Sequence, residues 1–341
     1  MLNFITLFDK NYLSRGLALY QSLVEHCGDF FLYILAMDSE TEEYLKQESL
    51  DNRMIISLSQ IESFYPELVE IKKERSRAEY CWTLTPYSIQ YAIKKYNLES
   101  CTYIDADIFF YGDPKVLIEE AGDNSVIITE HGYTPEYDLT KTSGKYCVQF
   151  NYFKNDIYGS KALEWWRQRC KEWCYARVED GKFGDQKYLD DWTTRFKGVY
   201  VPHHIGCGIA PWNMQQYDFF VNDEKIVVSD KITKEQRELI FVHYHHLNKY
   251  SFSKNIVWAF VDYEITEDSK DTLFRQYIKN IIRIENTLDS DFISPVYEYR
   301  KRSFLIFFIK NIINSFFVGK QYKLFQKKNI FSRNILYCTR V

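Results

Sequence analysis

The sequence contains neither the Gly-x-Gly-x-x-Gly of a dinucleotide fingerprint nor the Gly-Lys-Ser/Thr of a phosphate-binding loop. If a nucleotide binds, something other than a glycine cradle must neutralise its phosphates. No Cys-x-x-Cys pair occurs among the 8 cysteines, at 27, 81, 101, 147, 170, 174, 207 and 338, which are scattered through apolar runs. That argues against a zinc ribbon or a disulfide framework and predicts buried thiols in a reducing cytosol. No uncharged apolar stretch reaches about 18 residues, so no spanning helix is expected. The start, MLNFITLFDKNY, meets Asp9 too early for a signal peptide. Repeats and low-complexity segments are missing as well.

What is present describes a globular chain. Its 341 residues suffice for one large or two smaller domains, and 18% aromatic with 26% charged residues is not a disordered composition. The net charge of -4 hides an asymmetry. Residues 300–341 hold 10 Lys and Arg and no Asp or Glu, leaving 33 basic against 47 acidic residues elsewhere. An acidic body thus carries one basic tail.

Apolar runs at 3–8, 30–37 and 53–58 read as strands. Between them Leu13, Leu17, Tyr20 and Val24 recur at helical spacing, and SETEEYLKQ (39–47) opens with a serine and early glutamates, as helices do. TPYSIQYAIKKY (85–96) reads as a helix with proline near its start. Strands alternating with helices predict an α/β domain with a mainly parallel sheet. In ALEWWRQRCKEWC, Leu163, Trp166, Cys170, Trp173 and Cys174 keep helical spacing, which predicts core packing.

One strand-like run, CTYIDADIFFYGDP (101–114), ends in two aspartates. Residues two apart in a strand face the same way, so Asp105 and Asp107 can converge on one point. They stand where open α/β sheets bind ligands, at the C-terminal end of a strand. Carboxylates held that close repel unless a cation joins them. A hard divalent ion, Mg²⁺ or Mn²⁺, takes one or two carboxylates and leaves positions for phosphates. A calcium loop would need an oxygen ligand and then a glycine where Phe109 and Phe110 stand.

The run FDKNY before a helix, the Asp-x-Asp at 105–107, the later FGDQ (183–186) and VHYHH (242–246) resemble the nucleotide-sugar glycosyltransferases of the GT-A fold. They are most similar to family 8 and to a bacterial group of surface-polysaccharide transferases. WTLTP (82–86), EDGKFGDQKYLDDW (179–192) and APWN (210–213) extend the second likeness, which covers roughly residues 3 to 250. The resemblance implies a GT-A catalytic domain over 1–250, a helical extension over 251–299 and a basic amphipathic tail over 300–341. It also implies a metal-dependent transferase, hexosyltransferase-like, moving a sugar from a nucleoside diphosphate, UDP favoured, to a hydroxyl of a glycan or lipid-linked oligosaccharide.

By the same resemblance Asp105, Asp107 and His243 hold the metal, with His245 in reserve. Asp9 and Asn11 bond the base edge and Tyr12 stacks on it, although Asp, Lys and Asn are also ordinary turn residues. Asp185 and Gln186 lie near the sugar and the reacting carbon, where a carboxylate can bond hydroxyls, act as a base or stabilise an oxocarbenium-like centre. Arg75 and Arg77 precede a helix, and one of them, Arg77 by preference, reaches the diphosphate. In HHIGCGIAPWN the glycines allow close approach, and Trp212 with Asn213 offers an acceptor platform. Family 8 members usually carry Phe-Asn-x-Gly after the metal motif; here GKYCVQFNYFKND stands instead, with either Cys147-Val148-Gln149 or Asn151 at the corresponding position, so the sugar's hydroxyl contacts depart from the family pattern, and Asn151 is the residue set at the donor. The rival functions are an inactive sugar-nucleotide or glycan-binding module and a sugar nucleotidyltransferase. The second usually has a glycine-rich loop after its first strand, and LFDKNYLSRG has no glycine until Gly16.

The tail joins a basic start, an apolar run interrupted by Lys310, Asn311 and Asn314, and further lysines. Such a segment suits an anionic membrane surface better than a spanning role. The expected location is the cytoplasmic membrane face. Nucleic acid is not expected as a partner, because the acidic body repels it.

Overall fold

A computed structural model describes residues 1–252, 255–298 and 335–340. The chain forms two compact units, Met1–His245 with Thr266–Ser294, and a second built from His246–Ile265 with the described residues after 294. The boundaries at 250 and 299 do not coincide with these units. The chain leaves the first unit after His245 and returns to it at Thr266. What brings it back is the helix Arg275–Glu285, which buries Tyr277, Ile278, Ile281 and Ile284 on one face. It lies along the helix Leu13–His26, where Asn280 bonds Gln21 and Ser14 bonds Glu285.

Seven strands make the central sheet, in the order β3-β2-β1-β4-β7-β6-β8. They are β1 (Leu2–Phe8), β2 (Phe30–Ala36), β3 (Arg53–Ser57), β4 (Ser100–Ile104), β6 (Val126–Glu130), β7 (Tyr146–Lys154) and β8 (Val199–Tyr200). All pairings are parallel except those of β7 with β4 and β6. The parallel strands β1, β2 and β4 are apolar runs buried on both faces. The sheet is thus mixed and mainly parallel, as the alternation of strands and helices predicts.

The short β5 (Ile108–Phe110) leaves this sheet and pairs antiparallel with β12 (Phe241–His243). Between them lie β9 (Tyr217–Asn222), β10 (Lys225–Asp230) and β11 (Gln236–Glu238), a separate three-stranded sheet. The second unit holds β13 (Asn248–Phe252), β14 (Asn255–Ala259), β15 (Val296–Glu298) and β16 (Ile335–Arg340), in the order β15-β13-β14-β16. Most of the basic tail, 300–334 and 341, lies outside the described residues, and with it the expected membrane-binding helix. Among the described residues no helix is long and apolar enough to cross a membrane; Cys27, Cys81, Cys101, Cys147, Cys170, Cys174 and Cys207 are free thiols.

The helix expected at 85–96 begins earlier, spanning Arg77–Tyr96. A reciprocal cap starts it: Ser76 Oγ accepts from the Glu79 amide, and Glu79 accepts from the Ser76 amide. Pro86 is therefore internal, not near the start. On the helix Leu13–His26 the buried face includes Leu13, Ala18, Leu19, Tyr20 and Leu23, whereas Val24 is exposed. The tryptophans of Ile157–Glu172 pack as expected: Trp166 is fully buried, in T-shaped contact with Trp192.

Candidate functional site

Asp105, Ala106 and Asp107 are not strand residues. The chain turns there as it passes from β4 in the large sheet to β5 in the small one. The Asp105 amide donates to the Gln149 carbonyl, and the Ile108 amide closes the turn onto the Asp105 carbonyl. Convergence thus comes from a change of sheet and not from strand alternation. The same change supplies the third residue, because Ile108 of β5 lies opposite His243 of β12. His243 Nε2 stands 3.1 Å from Asp107 Oδ1 and 3.6 Å from Asp105 Oδ2. The Asp107 carbonyl accepts from the Tyr244 amide, which locks the two strands together at this point.

His245 belongs to the cluster too. Asp107, His243 and His245 each offer a ligand atom within 4.8 Å of the others. The two imidazoles stand on either side of Tyr244 and share Trp212, which meets both in T-shaped contact at 5.5 and 5.4 Å. Asp105, anchored by Tyr103 Oη at 2.8 Å, stands beside this trio. Carboxylate oxygen and imidazole nitrogen together suit a divalent ion such as Mn²⁺.

Burial and mutual charge act against one another in this cluster. Burial pushes the Asp105 carboxyl up, and Asp107 adds to this against the pull of His243 and Tyr103. Burial would raise Asp107 as well, but the charge of His243 and its hydrogen bond hold Asp107 well below the usual range. Burial would lower His243, and the two aspartates outweigh it, so its imidazole is pushed up. A divalent ion bound at this cluster would replace that proton.

Gln149, buried on β7, received no role of its own from the sequence. Its Oε1 lies 2.9 Å from His243 Nδ1, and its Nε2 donates to Thr129 Oγ1. With the amide oriented by Thr129, the His243 Nδ1 proton is directed to Gln149, and Nε2 is left to face the aspartates. Gln149→Leu is expected to weaken Mn²⁺ binding about 10–100-fold with the fold kept. Equilibrium dialysis checks this; unchanged affinity would assign Gln149 to packing alone.

Asp185 lies close enough to Asp105 for their charges to interact. It is 4% exposed, and its Oδ2 has no hydrogen-bond partner. Burial pushes its carboxyl up to about 8, with Asp105 adding to it. The Trp166 indole donates to its backbone carbonyl and fixes the turn. Asn151 of β7, opposite Tyr103 of β4, is fully buried, and neither side-chain polar atom has a partner. Buried polar groups of this kind call for a water, an ion or another polar partner. Gln186 instead donates to the Ser143 carbonyl.

At the end of β1, Asp9 accepts from the Asn11 amide and starts a short turn leading to Tyr12, which is 38% exposed. Arg77, expected at the diphosphate, ties loops together: Nε meets Asp9 at 2.6 Å and Nη2 meets Asp38 at 2.7 Å. Arg75 is the buried one, stacked 3.8 Å from the Tyr175 ring, with Nε and Nη1 lacking hydrogen-bond partners. Trp212 and Asn213, expected at the acceptor, are each 4% exposed, and both donate to the His131 carbonyl. Trp212 supports the two histidines it touches, and Asn213 braces the turn beside it through Ala210 and Gly208. A glycine-rich run gives no sequence signal for which way its aromatic residue turns.

No protein-family model matches the chain. The uncharacterized Bacillus subtilis (strain 168) protein YfnF is 33% identical over 249 residues, covering 71% of this chain and 80% of YfnF. YfnD of the same organism is 29% identical over 299 residues, covering 85% and 92%. Among solved structures, the galactosyltransferase LgtC in complex with donor and acceptor sugar analogues superposes with a TM-score of 0.50 at 13% identity. That match covers 85% of this chain and 98% of LgtC. The fold is the GT-A fold of nucleotide-sugar glycosyltransferases.

Proposed function

This chain belongs to the family of Bacillus subtilis YfnF, and we propose that it is a metal-dependent glycosyltransferase. It moves a sugar from a nucleoside diphosphate, UDP favoured, to a hydroxyl of a glycan or lipid-linked oligosaccharide in surface-polysaccharide assembly. The observation that carries this reading is the cluster of Asp107, His243 and His245, placed beside two buried polar side chains with unpartnered atoms, Asp185 and Asn151.

Asp107, His243 and His245, with Asp105 beside them, hold Mn²⁺ or Mg²⁺. The ion supplies Lewis-acid stabilisation of the negative charge that the departing diphosphate gathers. Asp9 and Asn11 receive the base edge, and Tyr12 offers its exposed ring for stacking. Asn151 and Asp185 meet the donor sugar, where their unpartnered atoms bond hydroxyls. A carboxyl pushed up to about 8 can give or take a proton near neutral pH. Arg77 acts from behind by fixing Asp9. The basic segment 300–341 places the enzyme on an anionic membrane surface at its cytoplasmic face; flotation with anionic liposomes, full-length against a chain ending at Tyr299, tests this part.

The test of the reaction is a panel of nucleotide sugars with Mn²⁺, Mg²⁺ or chelator, followed by nucleoside diphosphate release. Release from one donor, abolished by chelator, is expected. Tight binding of a donor with no turnover from any of them would favour the binding module. Formation of a nucleotide sugar from a sugar phosphate would favour the nucleotidyltransferase.

A further inference from the structure

We propose that Arg15 and the hydroxyl of Tyr277 form the diphosphate-binding site of this chain and neutralise the phosphates that no glycine loop cradles. The inference rests on the nucleotide-sugar reading of the site. Arg15 is the third residue of the helix Leu13–His26, yet it is only 4% exposed. Arginine is seldom buried to that extent without a task. Its guanidinium lies 4.6 Å from the ring centre of Tyr12, the residue assigned to the base. Nη1 reaches Ser294 Oγ at 3.4 Å, and Ser294 is itself bonded to Ser14. The guanidinium is thereby held in place by the returning C-terminal segment of the same unit.

Tyr277 comes from that segment. It is 2% exposed, and its hydroxyl has no hydrogen-bond partner. Its ring stacks on Tyr244 at 3.7 Å, and the Tyr244 amide donates to the Asp107 carbonyl. That chain of contacts sets Tyr277 next to the metal-binding aspartate. The charge of Arg15 is felt at both Tyr277 and Asp107, so phenol, guanidinium and carboxylate lie in one neighbourhood. A guanidinium and a phenol O–H beside a metal-binding carboxylate match an anion with several oxygens better than they match a neutral sugar. Bridging from Tyr12 to Asp107 is what a diphosphate between a stacked base and a metal must do.

The experiment uses the full chain, MnCl₂, UDP and inorganic pyrophosphate as probes, with Arg15→Gln and Tyr277→Phe. Calorimetric titration is expected to show UDP affinity falling about tenfold or more in Arg15→Gln and about threefold or more in Tyr277→Phe. Competition by pyrophosphate falls in parallel, and Mn²⁺ affinity without nucleotide does not fall. Tyr277→Phe removes one oxygen and keeps the packing, so it decides the matter if Arg15→Gln fails to fold. UDP bound by both folded variants within twofold of the parent would overturn the inference and spare the glycosyltransferase reading. A parent that binds pyrophosphate through Arg15 but no nucleoside diphosphate would do the reverse. A parent that binds neither would overturn both.

Discussion

Asp107→Ala is expected to abolish sugar transfer and metal-dependent nucleotide binding while the protein stays folded. Asp107 makes the shortest contact that His243 Nε2 has with a carboxylate, 3.1 Å, and it shares the three-residue cluster with both histidines. Its removal takes away the chief force that pushes the His243 imidazole up, and with it one anionic ligand. The loss of charge stabilisation at the leaving diphosphate is on the order of several kcal/mol, which is about a thousandfold or more in rate. The fold should survive because the backbone bond from the Tyr244 amide to the Asp107 carbonyl and the pairing of β5 with β12 do not need the side chain. Circular dichroism, Mn²⁺ binding and nucleoside diphosphate release check the three parts. Near-parental turnover at low metal would contradict the assignment.

The second large effect is at Asp185, where activity and stability are expected to move in opposite directions. Asp185→Asn should lower turnover by two or more orders of magnitude, in the range for a group acting on a reacting proton, while leaving UDP affinity within about threefold. The same change should stabilise the empty protein at neutral pH. The carboxyl sits at about 8 in the fold against an ordinary value of 3.8. Well below pH 3.8 it is protonated in both states and burial costs nothing extra. As pH rises through 4 towards 8, the unfolded chain loses its proton first, and stability falls. At pH 7.5 the cost is on the order of a few kcal/mol, so the melting temperature of Asp185→Asn should exceed the parent's by roughly 5 °C. At pH 4 most of the difference should be gone. A melting temperature that drops at pH 7.5, with UDP binding lost in proportion to turnover, would make Asp185 a structural residue. Such a trade of stability for a poised side chain is common at active sites.

The sheet was legible because β1, β2 and β4 are apolar runs separated by helical periodicity. The aspartate pair was legible as chemistry and misread as geometry, since a period of two does not reveal that a chain changes sheets between Ile104 and Ile108. His245, held in reserve, joins His243 in the cluster because Trp212 spans both rings, a contact across more than thirty residues of sequence. Arg77 looked available because its partners, Asp9 and Asp38, are remote along the chain. Arg15 was hidden inside a helix whose apolar spacing drew attention to Leu13 and Tyr20. Tyr277 lay past the boundary at 250, in a segment that had no visible reason to return to the first unit.

The measurement that addresses the centre of this account is electron spin echo modulation of Mn²⁺ bound to the protein in the presence of UDP. One ion joining the histidines to the diphosphate predicts ¹⁴N couplings from imidazole together with ³¹P couplings from the nucleotide. The ¹⁴N signal should disappear in the double variant His243→Ala, His245→Ala. Mn²⁺ that carries ³¹P couplings but no ¹⁴N, or that binds with neither, would contradict the account.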